Sequence, residues 1–301
     1  MLKNVIVTGG TGVIGTALLK LLLDKNINVY VVCRPTSLRA KSFVNHTNLH
    51  IIFCDLEHIN ALPTLIDKKC DAFFHLAWLG TENPNNRFNM YIQSDNIRYS
   101  LDAVNAAYKL GCKVFIGAGS QAEYGHVDGI IHPYMPVNPI SGYGMAKLCA
   151  GQMTRVMCKS LGIRHIWPRI ISVYGNGDGK NTFVRFIIDT LKAGKKPSLT
   201  KCEQIWDYLY SMDAAEALFK MAEKGTDGAI YVLGSGKTKT LREYAEIIRD
   251  EIDPSLPLGF GEKDYYKDQA MHLEADISNL VNDTGWIPNT KFKTGIKNIL
   301  K

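Results

Sequence analysis

Apolar and polar positions along the chain follow two alternating periods. Short β-branched and aromatic runs at 4–8, 27–33, 49–54, 71–76, 113–117, 163–168 and 229–233 read as strands. Between and after them, segments at 12–25, 60–67, 96–110, 143–161, 182–193, 211–223 and 241–251 carry apolar residues at helical spacing. Such alternation predicts an α/β fold, a doubly wound parallel sheet with helices on both faces. The C-terminal third is less regular and richer in Gly and Pro (Gly225, Gly228, Gly234, Gly236, Pro254, Pro257, Gly259, Gly261), which suggests a smaller lobe of short elements. Neither repeats nor low-complexity linkers interrupt the chain. A ligand cleft is expected beyond the strand C-termini, between the lobes.

The first strand runs into a glycine cluster, Val5-Ile-Val-Thr-Gly-Gly-Thr-Gly-Val-Ile-Gly15, and a helix pattern follows at once. Gly10, Gly12 and Gly15 fit the G-x-G-x-x-G dinucleotide fingerprint, and Gly9, Gly12 and Gly15 fit a G-x-x-G-x-x-G spacing. A pyrophosphate needs backbone N–H groups at close range and is favoured by the positive end of a helix. Gly9, Gly12, Val13 and Ile14 are the expected contacts. A bare glycine triplet is also just a tight turn; the strand before it and the helix after it favour dinucleotide binding.

The second strand ends at Cys33-Arg34, where an NAD-binding fold of this kind places an acid on the adenosine ribose. With no carboxylate there, Arg34 can pair with a 2′-phosphate, and NADP(H) is favoured over NAD(H). Arg34 could equally be a solvated loop residue. Asp55-Leu56 follows the third strand and can meet the adenine, or serve as a turn and helix cap. Ala77, after the fourth strand, is small enough for backbone approach. Trp78 beside it lines the entrance or belongs to the core.

The totals remove other classes. The 301 residues suit one large domain or two interleaved ones. Seven cysteines (33, 54, 70, 112, 149, 158, 202) never form a C-x-x-C pair and read as reduced, buried thiols. Eight histidines lack metal-ligand spacing, so no metal is expected. A net charge of +6 is not gathered into a run; Lys68-Lys69 and Lys195-Lys196 are its densest spots, so nucleic acid is not favoured as a partner. No apolar stretch is long enough to span a bilayer, and the start MLKNVIV lacks the plan of a signal peptide. A cytoplasmic protein is expected.

Tyr143 and Lys147 are four residues apart at the start of a helix pattern, which puts them on one face. A phenol titrates near 10 in water, and a neighbouring ammonium lowers that value, so the pair is a plausible acid/base unit. Y-x-x-x-K alone is more often a surface pair. Ser120 raises its meaning: it follows the fifth strand in Phe115-Ile-Gly-Ala-Gly-Ser-Gln-Ala-Glu-Tyr-Gly125, where its hydroxyl could face the phenol across a carbonyl oxygen.

Glycine fingerprint, strand-end serine and Y-x-x-x-K in this order resemble the extended short-chain dehydrogenase/reductase family of nucleotide-sugar epimerases, dehydratases and reductases. The likeness runs nearly end to end. Asn96 looks like the family's structural asparagine, Val173-Tyr174-Gly175 its V-Y-G, and Trp206-Asp-Tyr-Leu-Tyr210 ahead of Asp213 its R-D-F-V-Y-V-D-D segment. Asp276-Ile-Ser and Gly285-Trp286-Ile-Pro288 resemble its C-terminal elements. The resemblance implies a Rossmann-type fold with a smaller C-terminal α/β substrate lobe. The division expected is 1–168 plus 203–233 for the dinucleotide and 169–202 plus 234–301 for the substrate. It implies that Tyr143 exchanges a proton with a sugar hydroxyl or ketone, that Ser120 bonds the same oxygen, and that Lys147 binds the nicotinamide ribose and depresses the Tyr143 pKa. It also implies a homodimer built on the helices at 96–110 and 143–161.

Departures narrow the reaction. Dehydratases resemble T-D-E-V-Y-G, whereas here Gln121 and Ala122 stand at both acid positions and Glu123 is one place out of register, expected to point away from the site. An epimerase keeps its NAD, while Cys33-Arg34 suits a reductase that exchanges NADP(H). Trp206 replaces an arginine commonly used on the substrate diphosphate, and Ser172 replaces an asparagine of some epimerases. Ser120 and Gln121 are then expected at the sugar, with Asn181, Lys201, Arg242 or Lys267 at the diphosphate; each could equally be solvated. Gln204 and Trp206 could meet the base or sit in the core. The leading expectation is an NADP(H)-dependent reductase of a nucleotide-diphosphate 4-keto-6-deoxy sugar. The alternatives are an NAD-dependent nucleotide-sugar 4-epimerase and, from another class, a catalytically silent NADP-sensing module.

Overall fold

The computed structural model describes residues 2–81, 83–266 and 269–301. The strands are β1 (Asn4–Thr8), β2 (Asn28–Cys33), β3 (Leu49–Phe53), β4 (Ala72–His75), β5 (Val114–Gly117), β6 (Gly119–Ser120), β7 (Gly129–Ile131), β8 (Arg164–Ile170), β9 (Val173–Tyr174), β10 (Ile205–Asp207), β11 (Leu209–Tyr210), β12 (Ile230–Leu233), β13 (Thr238–Thr240) and β14 (His272–Ala275). The α-helices are α1 (Val13–Asp24), α2 (Leu62–Leu65), α3 (Met90–Lys109), α4 (Gly142–Leu161), α5 (Phe183–Lys192), α6 (Ser211–Lys224), α7 (Leu241–Ile252), α8 (Ser278–Thr284) and α9 (Phe292–Leu300).

The large sheet has the order β12-β8-β5-β4-β1-β2-β3, with β6 also on β8, and every pairing is parallel. Its inner strands are buried on both faces, which is why they read as continuous apolar runs, while the edge strand β3 leaves Ile51 and Phe53 exposed. Val5, Val7 and Phe74 point to the layer of α1 and α6, where Leu18, Leu22, Ala214 and Leu218 receive them. Ile6, Phe73 and Phe115 point to the opposite layer, with Ala103, Val104 and Ala107 of α3 and Cys158 of α4. This is the doubly wound α/β architecture expected. The strand order reverses between β1 and β4, the place where such sheets open a crevice at their C-terminal edge.

A second sheet, β13-β10-β14-β7, was not anticipated. Its strands have only three or four residues, too short for a periodic signal. Asp207 binds it together: Oδ1 accepts from the Ser235 N–H at 2.7 Å and Oδ2 from the Gly236 N–H at 2.8 Å and the Ala275 N–H at 3.2 Å. Two further corrections concern helices. The helix expected at 96–110 begins at Met90, because Asn89 caps it by accepting from the Ile92 N–H and its first turn is exposed. The segment 60–67 is a 3-10 turn, Leu56–Ala61, followed by the short α2.

All seven cysteines are free thiols, six of them buried. Among the described residues no helix is long and apolar enough to cross a membrane, and no three metal-binding side chains cluster.

Candidate active site

The turn after β1 has two kinds of glycine. Gly9 has φ +74°, and a Cβ there would strike the backbone of Leu76 and Ala77 after β4. At Gly15 a Cβ would overlap the Gly9 carbonyl oxygen. These glycines serve the protein's own packing. Gly12 differs: an added Cβ would find only the Gly9 oxygen, at an ordinary 3.5 Å. Its bareness leaves open the space over the first turn of α1. Gly12 caps that helix with no side-chain bond, so the amides of Val13 and Ile14 belong to a turn without intrahelical acceptors.

A cleft of 560 Å³ extends from this turn across the ends of β2, β3 and β4, and its wall includes Gly9, Gly12, Arg34, Asp55, Leu56 and Ala77. Six of the sequence-expected cofactor contacts are thus brought together. Asp55 occupies the cap position of the 3-10 turn Leu56–Ala61 but makes no side-chain capping bond, and it lines the cleft. Ser37 and Arg39 join Arg34 on the wall after Cys33, the last residue of β2, and Asp55 and Glu57 line the same cleft after β3. A dinucleotide fits this lining: backbone amides with open space at the turn, and a cleft that continues past the ends of β2 and β3.

Loop 76–80 is held from behind. The Ala77 N–H donates to Thr8 Oγ1 at 3.1 Å, and Thr8 Oγ1 lies 3.1 Å from His75 Nδ1. Ser100 Oγ donates to the Asn96 carbonyl and therefore accepts from His75 Nε2, which fixes the Nε2–H tautomer. Burial, then the charge of Lys147, holds His75 neutral, with its pKa lowered to about 3. Asn96 clamps Leu79 on both its N–H (2.7 Å) and its carbonyl (3.0 Å).

Ser120, Tyr143 and Lys147 converge at the C-terminal edge of the sheet. Ser120 ends β6, and Tyr143 and Lys147 lie on the first turns of α4, which Ser141 caps. Burial raises the Tyr143 pKa; the hydrogen bond with the Ser120 hydroxyl and the charge of Arg87 pull it down, and Glu123 pushes it up. Lys147 is buried, and its pKa is lowered to about 7, with Glu123 acting in the opposite sense. Its ammonium donates to the Ala118 carbonyl at 2.6 Å and stands 3.7 Å from the centroid of the Trp78 ring.

One expectation changes here. Lys147 was expected to depress the Tyr143 pKa, but its ammonium is turned to Ala118, 5.8 Å from the Tyr143 ring centroid. The cation that lowers the phenol is Arg87, whose guanidinium lies 4.8 Å from that centroid. Sequence reasoning missed Arg87, since it sits on an exposed 3-10 turn, Pro84–Phe88, remote in sequence from Tyr143. Trp78 is core and wall at once: it meets Tyr143 edge-on at 6.0 Å, and its indole N–H donates to Gln93 Oε1 at 2.8 Å.

The substrate candidates fall apart into groups. Gln121 follows Ser120 directly. Lys201 and Arg242 are neighbours, with Arg242 donating to the Lys201 carbonyl at 3.2 Å and stacking over Phe260. Asn181 is exposed ahead of α5, away from that pair in the chain. The Trp206 indole N–H is already taken by Ser172 Oγ at 2.9 Å, which joins the two positions that depart from the family pattern. Gln204 is buried, and its Oε1 finds no partner among the described residues. Lys267 lies outside the described residues.

The profile of the NAD dependent epimerase/dehydratase family matches residues 5–234. CDP-abequose synthase of Salmonella typhimurium is 26% identical over 316 aligned residues, covering 99% of this chain and 98% of that protein. The dTDP-4-dehydro-6-deoxyglucose reductase of Escherichia coli is 24% identical over 308 residues, covering 99% and 97%. Among solved structures, a UDP-N-acetylglucosamine 4-epimerase from Methanobrevibacter ruminantium M1, in complex with UDP-N-acetylmuramic acid, superposes with a TM-score of 0.86 at 27% identity, covering 99% and 97%.

Proposed function

The chain belongs to the NAD dependent epimerase/dehydratase family, as an NAD(P)-dependent nucleotide-sugar enzyme, and within it we propose an NADP(H)-dependent reductase. Its substrate is a nucleotide-diphosphate 4-keto-6-deoxy sugar. The observation that carries the choice is the end of β2, where Arg34, Ser37 and Arg39 line the cleft and Cys33 stands in place of an acid. The two arginines lie on the β2 side of the cleft and its acids, Asp55 and Glu57, follow β3; a guanidinium pair beside the β2 end favours a 2′-phosphate, hence a cofactor that arrives reduced and leaves oxidised. The two relatives named above for deoxysugar synthesis and reduction support the same reading.

Bound NADP(H) would supply the hydride. The protein's own part is position and proton. Gly9, Gly12, Val13 and Ile14 would hold the pyrophosphate on backbone amides, and Asp55 and Leu56 would hold the adenine. Tyr143 gives its proton to the ketone oxygen, and the Ser120 hydroxyl bonds the same oxygen, so developing negative charge meets two O–H donors. Burial keeps the phenol protonated and Arg87 limits how far its pKa climbs. Lys147 would hold the nicotinamide ribose. Gln121 and Ala122 stand where a dehydratase would carry its two acids, which leaves elimination without its acid/base pair. The segments 169–202 and 234–301 receive the sugar nucleotide, with Asn181, Lys201, Arg242 and Trp206 as its candidate contacts. The protein works as a homodimer through α3 and α4.

A second reading, an NAD-dependent 4-epimerase, is favoured by the superposition on the UDP-N-acetylglucosamine 4-epimerase at 27% identity. One experiment separates them. Purified protein is mixed with NADPH and dTDP- or CDP-linked 4-keto-6-deoxyglucose, and absorbance at 340 nm is followed. Stoichiometric NADPH loss supports the reductase. Interconversion of UDP-sugars with no net NADPH loss, by protein that retains NAD on purification, replaces it with the epimerase.

A further inference from the structure

We propose that Glu123 is a positioning residue for the reaction read above: its carboxylate holds the backbone N–H of Ser120 and so sets where the Ser120 hydroxyl stands. The proposal rests on that reading only for the identity of the reaction.

Glu123 is fully buried. A carboxylate taken out of water is costly unless donors surround it. Three do. Oε1 accepts from the Ser120 N–H at 2.8 Å and from the Trp167 indole N–H at 2.9 Å. Oε2 accepts from Arg169 Nε at 2.7 Å. Arg169, buried as well, is fixed in turn by the Pro133 carbonyl and by the face of Tyr124. Ser120 returns the favour within the same turn, its Oγ accepting from the Ala122 N–H at 3.2 Å. The serine is therefore pinned at its amide and at its side-chain oxygen. Its hydroxyl hydrogen remains for the phenol or a substrate oxygen.

The surrounding sequence is shaped to this bond. A Cβ at Gly117, Gly119 or Gly151 would fall against the Trp167 ring, and at Gly119 it would also meet Glu123 Oε1. Three glycines, two before Ser120 and one inside α4, make room for the indole that steadies the carboxylate. Valine occupies this place in the T-D-E-V-Y-G pattern and can accept no hydrogen bond. An ion pair kept only for stability could be exchanged for apolar residues at little cost; an acceptor for the Ser120 N–H could not. The Glu123 charge also favours the ammonium of Lys147 and the neutral phenol of Tyr143, the states from which a ketone reduction begins.

The test uses two variants of the whole chain. The double change Glu123→Met with Arg169→Met removes the acceptor without stranding the guanidinium. Glu123→Gln keeps an oxygen where Oε1 stands. The double variant is expected to fold and to bind NADPH within about threefold of the parent, with kcat for the keto-sugar down about a hundredfold and KM nearly unchanged, the scale of a misplaced reacting group. Its Ser120 amide should exchange hydrogen at least about a hundred times faster. Glu123→Gln should recover kcat to within about tenfold of the parent by keeping Ser120 in place. A folded double variant with the parent's kcat, or with unchanged Ser120 exchange, overturns the proposal, as does a folded Glu123→Gln no better than the double variant. If the parent reduces no keto-sugar, the reductase reading falls, and Ser120 exchange still decides the role of Glu123.

Discussion

The Lys147 ammonium stands 3.7 Å from the centroid of the Trp78 indole and bonds the Ala118 carbonyl at 2.6 Å, not the phenol of Tyr143. A buried cation so held is a burden on the fold. Burial lowers its pKa from 10.5 to about 7. Between those values the unfolded chain binds a proton that the folded chain refuses. The stability contribution is thus full above about pH 10.5 and lost as pH falls through about 7. Cofactor-free protein should gain up to about 1.4 kcal/mol per pH unit across this window from Lys147. Urea unfolding at several pH values, parent against Lys147→Met, measures the difference in slope. Equal slopes would contradict it.

Arg87 should govern the alkaline limb of activity. Removing its charge raises the Tyr143 pKa, so Arg87→Ala keeps the phenol protonated to higher pH. The high-pH limb of kcat then moves upward, while the weaker acid lowers the plateau. Arg87→Lys should lie between. A limb that stays put in Arg87→Ala would remove Arg87 from the proton balance.

Tyr143→Phe removes the proton donor without touching the pyrophosphate turn. Turnover should fall about a hundred- to ten-thousandfold, the usual worth of general acid catalysis, with NADPH affinity retained. Single-turnover hydride transfer is the readout, and near-parent transfer would take Tyr143 out of the mechanism.

The glycine turn allows folding and binding to be separated. Gly15→Ala places a methyl on the Gly9 carbonyl and should disrupt the turn. Gly12→Ala meets no protein atom closer than 3.5 Å, so it should melt near the parent temperature yet bind NADPH at least about tenfold more weakly. Arg34→Ala should weaken NADPH by about ten- to a hundredfold, the range of a charged hydrogen bond, and leave NADH nearly unchanged. Isothermal titration distinguishes these; equal losses for both cofactors in Arg34→Ala would remove the 2′-phosphate contact.

Tyr108, Met153 and Val156 are exposed apolar residues on α3 and α4, while Val104 of the same pair of helices is buried against the sheet. If the exposed face carries the second subunit, Val156→Lys should shift the protein from dimer to monomer. Sedimentation at micromolar concentration reads it, and a parent that is already monomeric ends the idea.

The large sheet was legible because strands buried on both faces leave unbroken apolar runs, as at Val5–Val7 and Phe73-Phe74. The grouping of Ser120, Tyr143 and Lys147 was legible through residue type and spacing. What stayed hidden depends on contacts between distant segments. Arg87 reaches Tyr143 only because the 3-10 turn at 84–88 packs on the start of α4, where a Cβ at Gly142 would meet the Arg87 carbonyl at 3.2 Å. The same-face spacing of Tyr143 and Lys147 was right, but spacing cannot say that Ala118 offers the ammonium a nearer acceptor. Glu123 was expected to point away from the site, yet its carboxylate accepts from the Ser120 N–H itself, with its other donors at positions 167 and 169.

The bond between Trp206 and Ser172 makes two departures from the family pattern into one unit. Replacing Trp206 by arginine alone removes the indole that Ser172 was sized to meet. Replacing Ser172 by asparagine alone crowds the indole N–H with a larger side chain. The effects of the two changes should therefore not add. Either position examined by a single change is read with its partner already lost, so only the double change measures what a new pair at 172 and 206 would do.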